Sequence, residues 1–226
     1  MGQTITEKIL SRYMGHEVKP GDYIEVKDFV GPIGYSFTGV NAVAGPLGIC
    51  KAIGAEPAHP ERWIFNGDHN TPARSIDDVQ LFQTVRQMAQ SVGVTKIYDK
   101  EGIGHVVNIE KGDILPGTVF VHSDPQATLA GGIGAYYTNG GRLGSCVMEA
   151  YATGQITLCV PETFRIEING ALPDNVTGKD VWMRVLRDIG PDGAFGMMLE
   201  YSGTAIDAMS RLPNLTHRRC RIEFDG

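Results

Sequence analysis

The chain has 226 residues, with 20 Lys and Arg against 26 Asp and Glu, so its formal net charge is −6 with histidine neutral. Hydrophobic residues make up 42% and charged ones 20%, a globular composition that excludes an intrinsically disordered chain. The acidic balance argues against a general nucleic-acid binder, whose footprint is basic, and apolar runs such as 42–44 and 118–121 are far too short to cross a bilayer.

That length supports one large domain or two small ones with a real core. No basic region followed by an apolar stretch opens the sequence, so no export signal is expected and a cytoplasmic protein is. The four cysteines, Cys50, Cys146, Cys159 and Cys220, form no C-x-x-C pair and read as free, mostly buried thiols. Glycine is the unusual count, 29 residues with dense clusters at 131–134 and 140–144, which implies tight turns and close backbone approach.

In chain order, residues 4–14 read as a first helix, with Thr4 as cap, Glu7 three residues on, and Ile5, Ile9 and Leu10 on one face. A turn at Lys19-Pro20-Gly21-Asp22 leads into an alternating strand at 23–26. Residues 31–39 are loop-like, and 40–53 suggest a small-residue helix broken near Gly45-Pro46. An apolar strand at 62–66 runs into Gly67-Asp68-His69-Asn70-Thr71-Pro72. Ser75 caps the next helix, whose apolar positions from Ile76 to Val92 fit a 3.6-residue period, and Gly93 ends it.

A strand at 96–98 then leads into Gly102-Ile103-Gly104-His105, and a buried strand at 118–121 delivers His122-Ser123-Asp124. After Pro161, residues 163–168 alternate and end in the turn dipeptide Asn169-Gly170. Thr177 caps a helix from 179 to 186, Gly190-Pro191-Asp192-Gly193 breaks it, and residues 194–199 read as another helical turn or two. Strand, polar loop and helix in repetition predict a layered α/β/α fold with a largely parallel sheet. The expected division is an α/β domain over 1–160 and a second α/β segment over 161–226, packed on it and not necessarily complete.

Ligands of such sheets sit beyond the carboxyl ends of the strands. His69, His105 and His122, with Asp68 and Asp124, all fall on predicted strand-end loops. Imidazole and carboxylate serve proton transfer and metal binding alike; the plainer reading is that each histidine caps a loop or bonds a backbone carbonyl. The glycine clusters obey neither the P-loop nor the dinucleotide fingerprint, and no Gly-x-Ser-x-Gly elbow is present. The basic run His217-Arg218-Arg219-Cys220-Arg221 is either a solvated face or an anion site of the kind a polycarboxylate needs.

Taken in order, several segments resemble the large-subunit half of the aconitase and 3-isopropylmalate dehydratase family. They are the opening Met1-Gly2-Gln3-Thr4-Ile5-Thr6-Glu7-Lys8-Ile9-Leu10, Gly67-Asp68-His69-Asn70-Thr71-Pro72-Ala73, Glu101-Gly102-Ile103-Gly104-His105, Leu115-Pro116-Gly117 with the strand to Asp124, Ala152-Thr153-Gly154 with Val160-Pro161-Glu162-Thr163, and Lys179-Asp180-Val181. The resemblance implies an aconitase-like fold and a hydro-lyase that interconverts hydroxy-di- or tricarboxylates by removing and adding water. It also implies a [4Fe–4S] cluster with one labile iron as Lewis acid. Asp68 and His69 would be the pair that handles the leaving hydroxyl, and His105 a second proton carrier or orienter. Asp124 would pair with another imidazole, and Glu223 would be the active-site glutamate. Thr38 is the residue that survives of a family His-Asp-Gly-Thr motif, and Arg142 and Arg219 are candidate carboxylate binders by their neighbourhoods.

The sequence also departs from the family. Its Asp-Ser-His-Thr motif appears as Asp124-Pro125-Gln126-Ala127, Tyr35-Ser36-Phe37-Thr38 replaces His-Asp-Gly-Thr, and Arg219-Cys220 replaces Asn-Met. Gln126 can exchange hydrogen bonds but cannot shuttle a proton. None of the four cysteines occupies a cluster-ligand position of the family. The leading expectation is therefore a hydro-lyase or isomerase component whose cluster ligands lie outside this chain, with a small polycarboxylate substrate and a second subunit or homo-oligomeric partner. The rivals are a noncatalytic scaffold or regulatory subunit and a cluster-free metal enzyme built on His69, His105 and His122. Neither nucleic acid nor membrane is an expected partner.

Overall fold

A computed structural model describes residues 2–32, 52–68, 72–98, 101–122, 125–139 and 145–209. Helix α1 (Ile5–Met14) begins in a reciprocal cap: the Thr4 hydroxyl accepts the Glu7 N–H, and the Glu7 carboxylate accepts the Thr4 N–H. Gly15, at φ +71°, ends it in the left-handed conformation that glycine adopts without strain. Strand β1 (Tyr23–Val26) follows, turning Ile24 and Val26 inward and Tyr23 and Glu25 outward.

Strands β2 (Gly31–Pro32), β3 (Trp63–Asn66) and β4 (Lys96–Tyr98) form a parallel sheet in that order. Helix α2 (Ile76–Ser91), whose first turn is capped by the Ser75 hydroxyl, crosses from β3 to β4. Helix α3 (Gly104–Glu110) leads from β4 toward β5 (Val119–His122), and the short helix α4 (Leu129–Gly132) precedes β6 (Tyr136–Asn139), which pairs parallel with β5. A parallel bridge between Val30 and Phe120 joins the two sheets, closed by Val30 N–H to Val119 O and Val121 N–H to Val30 O, each 2.9 Å. The parallel strands thus run β6–β5–β2–β3–β4. The chain winds outward from β2 to β4 and then returns to place β5 on the other side of β2. That reversal of winding is where α/β sheets open a crevice at their carboxyl ends.

Helix α5 (Ser145–Thr153) leads to β7 (Ile156–Cys159), which pairs antiparallel with β1, Tyr23 opposite Cys159. Strand β8 (Thr163–Glu167), helix α6 (Gly178–Ile189) and strand β9 (Met198–Ser202) make a separate parallel pair with a helical crossover, followed by helix α7 (Thr204–Met209). Mixed helices and mostly parallel strands are the expected α/β class.

Two of the expected local structures change. Residues 194–199 are not a further helix. Met198 and Leu199 begin β9, and Gly196 sits at φ +71°, which no helix accommodates. A short apolar run has no periodicity of its own, and pairing with β8 decided it. The turn at Asn169-Gly170 stands as expected, with Gly170 at φ +101°, and opens the crossover from β8 to β9. The expected loop over 31–39 begins as β2, while its remainder and most of the helix expected over 40–53 lie outside the described residues.

One cluster of buried side chains gathers Leu10, Ile24, Val26, Phe29, Trp63, Phe65, Val119, Val121, Tyr136 and Tyr151 with their neighbours. Trp63 is its centre: fully buried, 5.8 Å from the Phe29 ring and 5.6 Å from the Tyr151 ring, its indole N–H donating to Ala58 O at 3.1 Å. A second cluster holds Val181, Val185, Ala194, Leu199, Tyr201, Ile206 and Met209, with Trp182 partly buried against it. A third, around Phe120, Ala127, Ala130 and Tyr137, lies under β5 and β6.

Candidate active site

Strand β3 is buried along its whole length, Trp63-Ile64-Phe65-Asn66, and its carboxyl end delivers Gly67 and Asp68. The backbone is steered there by β4, whose Tyr98 carbonyl accepts the Gly67 N–H at 2.9 Å. Asp68 is half-buried, and its Oδ2 accepts the N–H of Gly104, first residue of α3, at 2.7 Å. The first N–H groups of a helix have no partner inside the helix, so the carboxylate satisfies one of them and is fixed in direction by it.

His105 is the next residue, 8% exposed. It stands in the first turn of α3 and not on a strand-end loop as the sequence suggested, because the helix starts directly after the cap residue Ile103. His122 is the last residue of β5, 7% exposed, with its ring edge-on to Phe120 at 5.4 Å. It too belongs to regular structure, since β5 continues one residue further than its apolar run.

The same corner is braced from β4. Asp113 accepts the Tyr98 hydroxyl at 2.8 Å and pairs with the Lys96 ammonium at 2.7 Å. Burial, with the Asp113 carboxylate as hydrogen-bond acceptor and neighbouring negative charge, pushes the Tyr98 phenol up to about 12.

Of the expected site residues, Asp68 and His105 are therefore brought onto adjoining segments, linked through Gly104. Thr38, His69, Asp124, Arg142, Arg219 and Glu223 lie outside the described residues. Sequence reasoning missed Asn66 and Asn108, whose amides are buried at 3% and 0% exposure and bonded to each other. The signal was available: an apolar strand that ends in asparagine, and an asparagine in the apolar run Val106-Val107-Asn108-Ile109.

A [4Fe–4S] cluster needs thiolates converging at defined spacing. Cys159 is exposed on β7, in the antiparallel pair with β1, and among the described residues no three His, Cys, Asp or Glu gather as a metal site. The described donors do not fit the cluster. No helix among the described residues is long and apolar enough to cross a membrane.

A parallel α/β sheet thus holds a carboxylate at a strand's carboxyl end, bonded to the residue that precedes a buried imidazole, and these are the residue types that acid–base chemistry uses. Residues 52–219 match the family model described as the aconitase family (aconitate hydratase), and the chain belongs to that family. Similar proteins include the "3-isopropylmalate dehydratase large subunit 1" of Methanopyrus kandleri, 36% identical over 93% of this chain and 49% of its own length. The "3-isopropylmalate dehydratase large subunit" of Heliobacterium modesticaldum is 34% identical over 100% of this chain and 53% of its own length. A "probable 3-isopropylmalate dehydratase large subunit" of Methanosarcina mazei is also 34% identical, over 99% of this chain and 53% of its own. The chain spans about half the length of the curated relatives it matches.

Proposed function

We propose that this chain is a component of a hydro-lyase or isomerase that removes and adds water on a small hydroxy-di- or tricarboxylate. The observation that carries the reading is Asp68, held by the Gly104 N–H at the carboxyl end of a parallel strand with His105 one residue further on. A carboxylate fixed in direction can take or give a proton along one line, and a neighbouring imidazole can relay it near neutral pH. His69, Asp124 and Glu223 complete the proposed proton-handling set, and Thr38, Arg142 and Arg219 the proposed substrate contacts. The cluster that the family resemblance implies would take its thiolates from outside this chain. Relatives named as large subunits support a second subunit as partner. The two main side-chain clusters support a division near residue 160, with Met198 reaching across it into the first.

Native mass spectrometry of protein isolated without oxygen tests the reading. A second chain bound, with four irons and four sulfides, is the expected mass. The bare chain or a metal-free homo-oligomer, inert toward every hydroxyacid offered, would transfer the weight to a noncatalytic role. For an active complex, His69→Ala is expected to cost at least a hundredfold in turnover, within the usual contribution of a general acid or base; unchanged turnover would remove His69 from the mechanism.

A further inference from the structure

The end of β3 and the middle of α3 each bury an amide where an aliphatic side chain would be ordinary. Asn66 follows Trp63, Ile64 and Phe65, all fully buried, and Asn108 lies beside the buried Val107. Asn66 Nδ2 donates to Asn108 Oδ1 at 2.9 Å, and Asn108 Nδ2 donates to Asn66 Oδ1 at 3.0 Å. The two amides close a ring across 42 residues of sequence. Gly104, one helical turn before Asn108 on the same face, also presses against Asn66. A Cβ at residue 104 would stand 2.7 Å from both Cβ and Cγ of Asn66.

Asn66 is thus gripped by α3 at two points, two residues before Asp68. The same Gly104 that touches it donates its N–H to Asp68, and His105 comes next. The far end of α3 is tied as well. The Asn108 carbonyl accepts the N–H of Asp113 at 2.9 Å and of Ile114 at 3.2 Å, and Asp113 holds Tyr98 and Lys96 of β4. From β3 through α3 and back to β4, the backbone circuit is closed. Two aliphatic side chains could fill the same volume, but apolar contact is non-directional and tolerates sliding, whereas a reciprocal amide ring has one register.

We propose that Asn66 and Asn108 are a positioning pair that fixes the height and rotation of α3 on β3, and through them the Asp68–Gly104 hydrogen bond and the orientation of the His105 ring. The functional importance of that orientation rests on the proposed acid–base role of Asp68 and His105; the pair's hold on them does not.

The test uses the full chain and reads no turnover. Three variants are compared with the parent by NMR: Asn108→Leu, the double variant Asn66→Leu with Asn108→Leu, and Asn108→Asp. The readouts are the exchange rate and proton shift of the Gly104 amide, the ring nitrogen shifts of His105, and the melting temperature. Asn108→Leu is expected to raise Gly104 exchange at least tenfold and move the His105 signals. The double variant is expected to regain most of the melting temperature without recovering either signature. Should Asn108→Leu fail to fold, Asn108→Asp makes the comparison within one protein. A protonated carboxyl can still donate to Asn66 Oδ1 and accept from Nδ2, while a carboxylate cannot donate.

Burial raises the pKa of that new acid, so parent-like Gly104 and His105 signals are expected at low pH and their loss as pH rises through it. Asp68, His105, Asp113, Lys96 and Tyr98 are the ionisable groups of the same corner, and the parent's own pH profile is subtracted to remove their contribution. A double variant that recovers both signatures along with its melting temperature would reduce the amides to filling. So would an Asn108→Asp variant whose signals follow the parent at every pH. Absence of hydro-lyase activity would leave these readouts intact and would count against the proposed function alone.

Discussion

At residue 104 a hydrogen atom stands where any other residue would place a carbon, and the corner around Asp68 is built on that difference. Gly104→Ala would force Asn66 or the start of α3 to move, since a contact at 2.7 Å is far inside van der Waals distance. Overpacking of this kind costs about 1–3 kcal/mol, so the variant is expected to melt several degrees lower and to loosen the Asp68–Gly104 bond, seen in chemical denaturation and in Gly104 exchange. Tyr98 offers a test by pH. Its folded pKa, about 12, lies above the ordinary value of 10.0. The folded state therefore holds this proton more tightly than the unfolded one. Its contribution is fully present below about pH 10 and is lost as pH rises toward 12. Tyr98→Phe should flatten the alkaline fall in melting temperature over that window, although Tyr13, also raised by burial, will keep some slope. The sequence marked Asp68 and His105 because acid–base side chains at strand ends are conspicuous. Each asparagine stands out in its apolar run, but the bond between Asn66 and Asn108 does not, because each amide finds its partner 42 residues away.

Elements were legible where local chemistry decided them and obscure where pairing did. The cap at Thr4, the cap at Ser75 and the stop at Gly93 all stand as the residues indicate, because each is a hydrogen bond or a positive φ within a few positions. Ser75→Ala is expected to cost α2 about 1 kcal/mol, measurable as a lower midpoint in urea. Periodicity overstated the buried face of α2. Ile76 and Val79 keep the helical spacing yet are 76% and 43% exposed, while Val85 and Ala89 carry the contact with the core. In α6 the cap is an ionised group: Asp180 accepts both the N–H and the hydroxyl of Thr177, and these bonds hold its carboxyl below the usual range. A depressed folded pKa means that the cap's contribution is present above about pH 4 and lost as pH falls through the lower folded value. Protection of the first turn of α6, taken relative to the intrinsic amide exchange rate at each pH, should fall on acidification, and Asp180→Asn should show the lower protection at every pH. Residues 194–199 escaped sequence reading for the opposite reason: strand β9 exists by virtue of β8, more than thirty residues earlier.

For the whole molecule, the α/β class followed from alternation alone, but the order β6–β5–β2–β3–β4 did not, since β2 is two residues long and its place beside β5 rests on one bridge. The side chains gather in clusters that stability measurements can separate. Leu199→Ala would empty the centre of the second cluster, at about 2–5 kcal/mol for a buried leucine. Exchange protection is expected to fall over β8, α6 and β9 while β3 and β5 keep theirs; uniform loss across all of them would mean that the clusters unfold as one.

The two tryptophans of the chain are divided between these clusters, Trp63 sealed in the first and Trp182 half-covered at the second. The molecule therefore carries an intrinsic optical label for each of its two main cores. Emission from Trp63 should lie to the blue and resist quenching by iodide, and that from Trp182 should lie to the red and be quenched. With Trp63→Phe or Trp182→Phe, a single indole remains to report the loosening of one core in the light it emits.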